Sequence, residues 1–419
     1  MAIGVRDIAW KALVLAALTA PPAFFYFTVL RFAVNVPHHD DYDSILTFLL
    51  SYQDADGPVS KISLIFAQNF EHRIALVYVA SLAIYKLTGV IDFSAMIYFG
   101  TLGLSGLALA LYLMLPRMER KPLYFIPVIL FIFQMQYTET VFWAMASISN
   151  FYVLFFSFSS LLLLNREGRH FFAGAFLLAA LSSVTQGSGI FTFAACALLL
   201  AFKRDFRGLA VWLALSAVVL SLYFGFYEKP GNHPSVTKAV FEAPVRSLEY
   251  FITFIGASFP FPFIAGLILI ALFLLLTWMG YHRKNKAVYC ALIFIFLTGI
   301  AAAMTRSGFG VEQALSSRYR IVSALFPIFI YMALLECSIG SRLWSRFSFP
   351  AIMAGALFFN INAYNSNAQS ISDLNYLHKR EMGKWVNGYP ALVSHPDQAY
   401  AKSVLQQAVE RGLYKPDFK

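Results

Sequence analysis

Charge is what this chain has least of. Asp, Glu, Lys and Arg make up 13% of its 419 residues, against about 25% in an ordinary soluble domain. Acidic residues are the scarcer sign, 22 against 32 basic, for a net charge of +10. Cysteine is rare too. Cys196, Cys290 and Cys337 all lie inside apolar runs, with neither metal-ligand spacing nor the makings of a disulfide framework, and they read as packing residues. These shortages exclude an ordinary soluble domain, a disulfide-stapled scaffold and a zinc-ribbon module. The basic surplus does not call for nucleic acid, because much of it falls in short loops between apolar segments.

What the chain has instead is grease: 59% hydrophobic residues, 17% aromatic and a mean hydropathy of +0.65. Apolar runs near the ~20 residues needed to cross a bilayer occur at 12–34, 95–115, 122–137, 148–164, 169–184, 188–202, 208–226, 262–281, 286–304, 320–337 and 347–364. They predict an all-α polytopic membrane protein with about eleven transmembrane helices, within a range of about ten to twelve. At the N-terminus the apolar stretch runs on past Pro21-Pro22 to Val34, too long for a cleaved signal peptide, so it reads as an uncleaved first span.

Segment 74–90 is apolar enough to cross, yet it ends in Lys86 and Gly89 and is followed by Asp92. Loop charge arbitrates. The groups Arg117/Arg120/Lys121, Arg166/Arg169, Lys203/Arg204/Arg207, Arg283/Lys284/Lys286 and Arg342/Arg346 all fall on the cytoplasmic side if the N-terminus is cytoplasmic and 74–90 lies in the interface. The chain then reads as a bundle over 1–364 and a small extracytoplasmic tail over 365–419. The first outer loop spans 35–73, and residues 44–52 within it suit a helix lying at the membrane surface. The loops 227–261 and 305–319 share that face. In the tail, a helical pattern over 396–412 stops at Gly412, with Pro416 beyond.

Against so apolar a background, the places where charge clusters carry the chemistry. Immediately beyond the first span stands His38-His39-Asp40-Asp41-Tyr42-Asp43. One of these carboxylates suits a general base that takes a proton from an acceptor hydroxyl. A pair, Asp40 and Asp43, suits a hard divalent cation, with His38 or His39 as a less usual partner. The plainer reading is a solvated loop that caps the next helix. Glu71-His72-Arg73 closes the same loop at headgroup depth, where ionisable groups are costly unless paired or facing a polar cavity; snorkelling is the plain reading for Arg73. The third cluster is Arg306 followed by Ser316-Ser317-Arg318-Tyr319-Arg320 at the start of a late span. Arginines on the outer face run against the usual bias, and guanidinium and hydroxyl donors at a helix start make a phosphate cradle, for a substrate or for a lipid headgroup. Thr185-Gln-Gly-Ser-Gly189 is a weaker signal, either a break lining a cavity or simple packing.

These motifs together resemble the GT-C superfamily of polyprenyl-phosphate-sugar-dependent membrane glycosyltransferases. The Asp-Asp-Tyr-Asp group after the first span resembles the acidic motif of that superfamily's first extracytoplasmic loop. Glu71-His72-Arg73-Ile74, Ser316-Ser317-Arg318-Tyr319 and Gly412-Leu-Tyr-Lys-Pro416 are similar to bacterial members that modify O-antigen or other surface polysaccharides. The resemblance implies a GT-C-like bundle in the bacterial inner membrane, active on the periplasmic face, with a polyprenyl-phosphate-linked sugar as donor. It implies Asp41 or Asp40 as the base, Glu71 binding acceptor or metal, and Arg318, Tyr319 and Arg320, with Arg306, Arg73 and His72, around substrate and lipid phosphate. Some relatives use Mg2+ or Mn2+ and others no metal. The short tail favours a glycan or lipid-linked glycan as acceptor over a large protein. Two other classes compete: a transporter or flippase of lipid-linked sugars, which predicts paired halves and midplane charges, and an O-antigen polymerase or ligase, which predicts catalytic Arg in large late loops.

Overall fold

The computed structural model describes residues 5–416 except 117, 119, 232, 233, 235 and 339–343. Arg117 and Arg342, two of the loop cations used above, lie outside the described residues. The chain is almost wholly helical. The exception among the described residues is a hairpin pairing Gln68–Asn69 with His72–Arg73, plus an isolated bridge from Ile91 to Tyr414.

Among the described residues, seven helices are long and apolar enough to cross a bilayer: Ile8–Phe32, Phe93–Met114, Ala144–Leu164, Phe206–Phe224, Lys286–Phe309, Ser317–Ser338 and Arg346–Val386. This is a multi-pass, all-α membrane architecture. The other apolar segments are helical but shorter. Lys121–Ile132 has 12 residues, Arg169–Ser183 has 15, Phe191–Lys203 has 13 and Pro262–Trp278 has 17. At about 1.5 Å per residue, twelve residues reach only about 18 Å of a hydrocarbon core about 30 Å thick. Beyond the end of Lys121–Ile132 the Gln136 amide turns onto the Gln134 side chain (2.5 Å). The last carbonyls of the helix find a partner on a neighbouring helix, where the Asn360 amide donates to Leu130 O (2.7 Å) and Phe133 O (2.9 Å). That is how a broken helix satisfies its end away from water.

Two segments differ from the sequence reading. Residues 244–256, assigned there to a loop, form a helix whose Tyr250–Gly256 face is buried. The last span does not stop at 364 but continues as one helix, Phe349–Val386. No proline interrupts it, and polar side chains such as Asn367 bond back to the helix's own carbonyls (Ala363 O, 2.8 Å).

The chain divides into two compact units. One comprises residues 1–31, 108–137 and 234–368; the other comprises 32–107, 138–233 and 369–419. In the first, Ile126, Leu130 and Ala356 form a buried cluster against Val14, Leu18 and Met353, and the Tyr331 hydroxyl donates to Tyr124 O (2.7 Å). In the second, the segment after the first helix folds into the helices Tyr42–Leu46, Thr47–Asp54 and Gly57–Ile65, with Phe48 stacked on Tyr78 at 4.1 Å. The tail helix Gln398–Glu410 stops where Gly412 takes a positive φ of 69°, a conformation that costs glycine nothing.

Candidate functional site

The polar cluster after the first helix folds into a tight knot. His39 takes a positive φ of 45°, uncommon for a residue with a side chain, and the turn brings Asp41 back so that its Oδ2 accepts the His38 amide (3.0 Å). Asp41 Oδ1 accepts the Met145 amide (2.9 Å), with the Ala144 amide also directed at it. Met145 belongs to the first turn of Ala144–Leu164, a helix whose own N-cap is Trp143 and provides no side-chain cap. The first amides of a helix have no partner within it, so Asp41 supplies the cap from a distant segment. Its carboxyl is 1% exposed. Burial pushes its pKa up to about 7, against the opposing pull of those amides and with the help of nearby Asp40. A carboxyl raised in the fold stabilises it through its bound proton. That contribution is complete below the ordinary value of 3.8 and lost as pH rises through about 7.

The tail closes over this knot. The His39 amide donates to Ser394 O (2.6 Å), and His38 Nδ1 lies 2.6 Å from Ser394 Oγ and 3.0 Å from His378 Nε2. His395 Nε2 pairs with Asp43 Oδ2 at 3.0 Å, and the Thr47 hydroxyl meets Tyr400 (2.9 Å). Burial, and then the neighbouring His378 and His39, push His38 down to about 2, so the ring is neutral at any ordinary pH. That contribution to stability is held above the ordinary value of 6.5 and lost as pH falls towards about 2. Asp40 sits in the turn, half-buried, and its carbonyl accepts both the amide (2.7 Å) and the hydroxyl (2.6 Å) of Ser44.

Glu71 occupies the tip of the small hairpin, 3.6 Å from His72. His72 packs against Gly187, where a Cβ would run into its ring, so the Thr185–Gly189 break makes room for the hairpin. Arg73 is committed to architecture. Its Nε and Nη2 donate to Tyr223 O (3.1 and 2.9 Å), its Nη1 donates to Phe66 O, and its guanidinium lies over the Tyr223 ring. Arg73→Ala is therefore expected to cost about 1–3 kcal/mol by stranding the Tyr223 carbonyl. Amide hydrogen exchange over 66–73 should speed up, and donor affinity should stay unchanged.

The third cluster belongs to the other unit. Arg306, Arg318, Tyr319 and Arg320 are all half-buried. Arg306 hydrogen-bonds towards Tyr319 and feels the like charge of Arg318, and the Arg318 guanidinium lies over the Tyr319 ring at 5.6 Å. Arg320 Nε is anchored on Leu315 O (3.1 Å). Arg320 also stands in the wall of a cavity of about 790 Å³ that is otherwise lined mainly by side chains such as Phe131, Phe259, Ile328 and Phe359. An apolar cavity with one guanidinium in its wall suits an amphiphile with an anionic head.

The histidines of the tail went unread in the sequence. His378, Ser394 and His395 are separated from the first loop by more than 330 residues, and Glu139 stands alone in a stretch with no other charge nearby. The available signal was scarcity: of only eight histidines, two sit in the tail. A hard cation held between Asp40 and Asp43 does not fit this arrangement. Asp43 is turned to His395, and Asp41 between them is spent on backbone amides. Among the described residues, the group whose ligand atoms converge is His38, His39 and Glu139. Comparison with known proteins gives no matching family model, no matching curated sequence and no matching solved structure.

Proposed function

We propose that the protein is a GT-C-type glycosyltransferase of the bacterial inner membrane. It moves a sugar from a polyprenyl-phosphate donor to a glycan or lipid-linked glycan on the periplasmic face. The observation that carries this reading is the apolar cavity of about 790 Å³ with Arg320 in its wall, beside Arg318 and Tyr319 in sequence. An isoprenoid chain suits the apolar lining, and its phosphate suits the arginines. In this scheme Asp40 takes the proton of the acceptor hydroxyl. The hydroxyl oxygen attacks the anomeric carbon, the bond from that carbon to the phosphate oxygen breaks, and polyprenyl phosphate leaves with the electron pair. Arg318 and Arg320, with Arg306 and Tyr319, meet the negative charge that grows on the leaving phosphate, the kind of stabilisation that usually dominates such catalysis. Asp41 holds the turn that presents Asp40, and Glu71 and His72 face the acceptor.

We read the bundle as eleven spans with 74–90 at the interface, on the loop-charge pattern. The first loop and the tail are joined by His38–Ser394, Asp43–His395 and Asp54–Arg411 pairs, which suits any odd number of spans and puts both segments on one face in this reading.

The test is transfer by purified protein from synthetic polyprenyl-phosphate sugars to a surface-glycan fraction. Arg318→Ala and Arg320→Ala should each raise the apparent KM for donor by about 10-fold or more, the worth of a charge-assisted hydrogen bond, and leave acceptor KM near wild type. No transfer from any donor, with movement of labelled lipid across proteoliposomes, would establish a flippase instead.

A further inference from the structure

We propose that His38, His39 and Glu139 form a binding site for one divalent transition-metal ion of the zinc class, with an open coordination position. The three offer ligand atoms that all lie within 4.8 Å of one another. His39 Nε2 and Glu139 Oε1 are already 3.4 Å apart, close to the roughly 3.3 Å between neighbouring ligands on a tetrahedral ion bound at about 2.0–2.1 Å. The remaining gap closes by rotation of exposed side chains, His39 being 38% and Glu139 47% exposed.

A second observation concerns His38 itself. His38 is 4% exposed, and its Nε2 is buried without a hydrogen-bond partner. Leaving such a nitrogen unsatisfied costs about 1–3 kcal/mol. Its Nδ1 is committed to Ser394 Oγ and His378 Nε2. That is the outer-shell support that fixes the tautomer and aims the other nitrogen of a ligating histidine. His39 holds its strained backbone because the tail carbonyl of Ser394 grips its amide. Two imidazoles and one carboxylate prefer a borderline ion such as Zn2+ over a hard one such as Mg2+. Three protein ligands leave the fourth position to water or a substrate oxygen.

The site does not depend on the transferase reading, and its test reads binding. Untagged full-length protein in detergent, stripped with EDTA, is titrated with Zn2+, Co2+ and Mg2+. The expected result is one Zn2+ per chain, micromolar or tighter, Co2+ absorption of a four- or five-coordinate nitrogen–oxygen site, and no competition from Mg2+. His39→Asn, which keeps a residue tolerant of positive φ, and Glu139→Gln should each weaken Zn2+ binding at least 10-fold. Ser394→Ala should weaken it by about 10–100-fold through His38. Wild-type affinity in both His39→Asn and Glu139→Gln, or preferential Mg2+ binding, would overturn the proposal. Stoichiometric, variant-sensitive Zn2+ binding supports it even in protein that transfers no sugar.

Discussion

Asp40→Asn is expected to lower sugar transfer by about 10²–10⁴-fold, the usual worth of a general base, in protein that inserts and melts like wild type. The substitution keeps shape and removes only the charge and basicity. The Asp40 backbone carbonyl, which holds the Ser44 amide and hydroxyl, is untouched. Asp41→Asn is the instructive contrast. Its carboxylate accepts the His38 amide on one oxygen and the Met145 amide on the other. An amide side chain has a single acceptor oxygen, so one of those buried N–H groups is stranded at a cost of about 1–3 kcal/mol. Asp41→Asn should therefore lose thermal stability and activity together, and Asp40→Asn activity alone. Wild-type turnover in Asp40→Asn would remove the base from this position. A melting temperature unchanged in Asp41→Asn would remove the cap.

The largest effect on stability is expected at Gly100. A Cβ there would fall on the Ser147 side chain and lie 2.9 Å from the Ile148 amide nitrogen. The same helix brings Gly103 against Phe151 and Tyr152, and Gly106 against Phe155. Small residues at this spacing let two helix backbones approach in a membrane. Gly100→Leu must push the Ala144–Leu164 helix away, at a cost of about 1–3 kcal/mol or more for overpacking. Ser147 follows Met145 by two residues, so the displacement also pulls the helix start off Asp41. Thermal unfolding in detergent should show the loss, and turnover should fall with it. Gly383→Ala is the control, since a Cβ there meets nothing within 4 Å, and it should be neutral or slightly stabilising. Equal melting temperatures in the two variants would mean that this crossing tolerates a side chain.

Much of the architecture is written locally. Apolar length indicated most of the helices, though neither Pro244–Gly256 nor the extension to Val386, because a bilayer segment must satisfy its backbone within itself and helix is the answer for a single segment. Scarcity of charge singled out the His38–Asp43 turn, Glu71-His72-Arg73 and the Arg306 and Arg318–Arg320 group, since ionisable groups beside a membrane are expensive. Gly412 marked the end of the tail helix because a positive φ there needs glycine.

Other features rest on pairings that no local pattern encodes. Asp41 is set apart from Asp40 and Asp43 by its burial under a helix start that includes the Met145 amide, 104 residues away. Asp43 is claimed by His395 and His38 by Ser394 and His378, from a tail in which only the helical pattern and the Gly412 stop were legible. Arg73 looked like a snorkelling or substrate-binding cation, and only the fold shows its donors spent on the Tyr223 and Phe66 carbonyls. The sequence by itself determined a helical, multi-pass chain and where its rare charges stand, because burial of backbone and charge is a local cost. Which carboxylate anchors, which histidine keeps an open nitrogen and which arginine faces an apolar cavity were decided by tertiary structure, because hydrogen bonds depend on partners brought together from far along the chain.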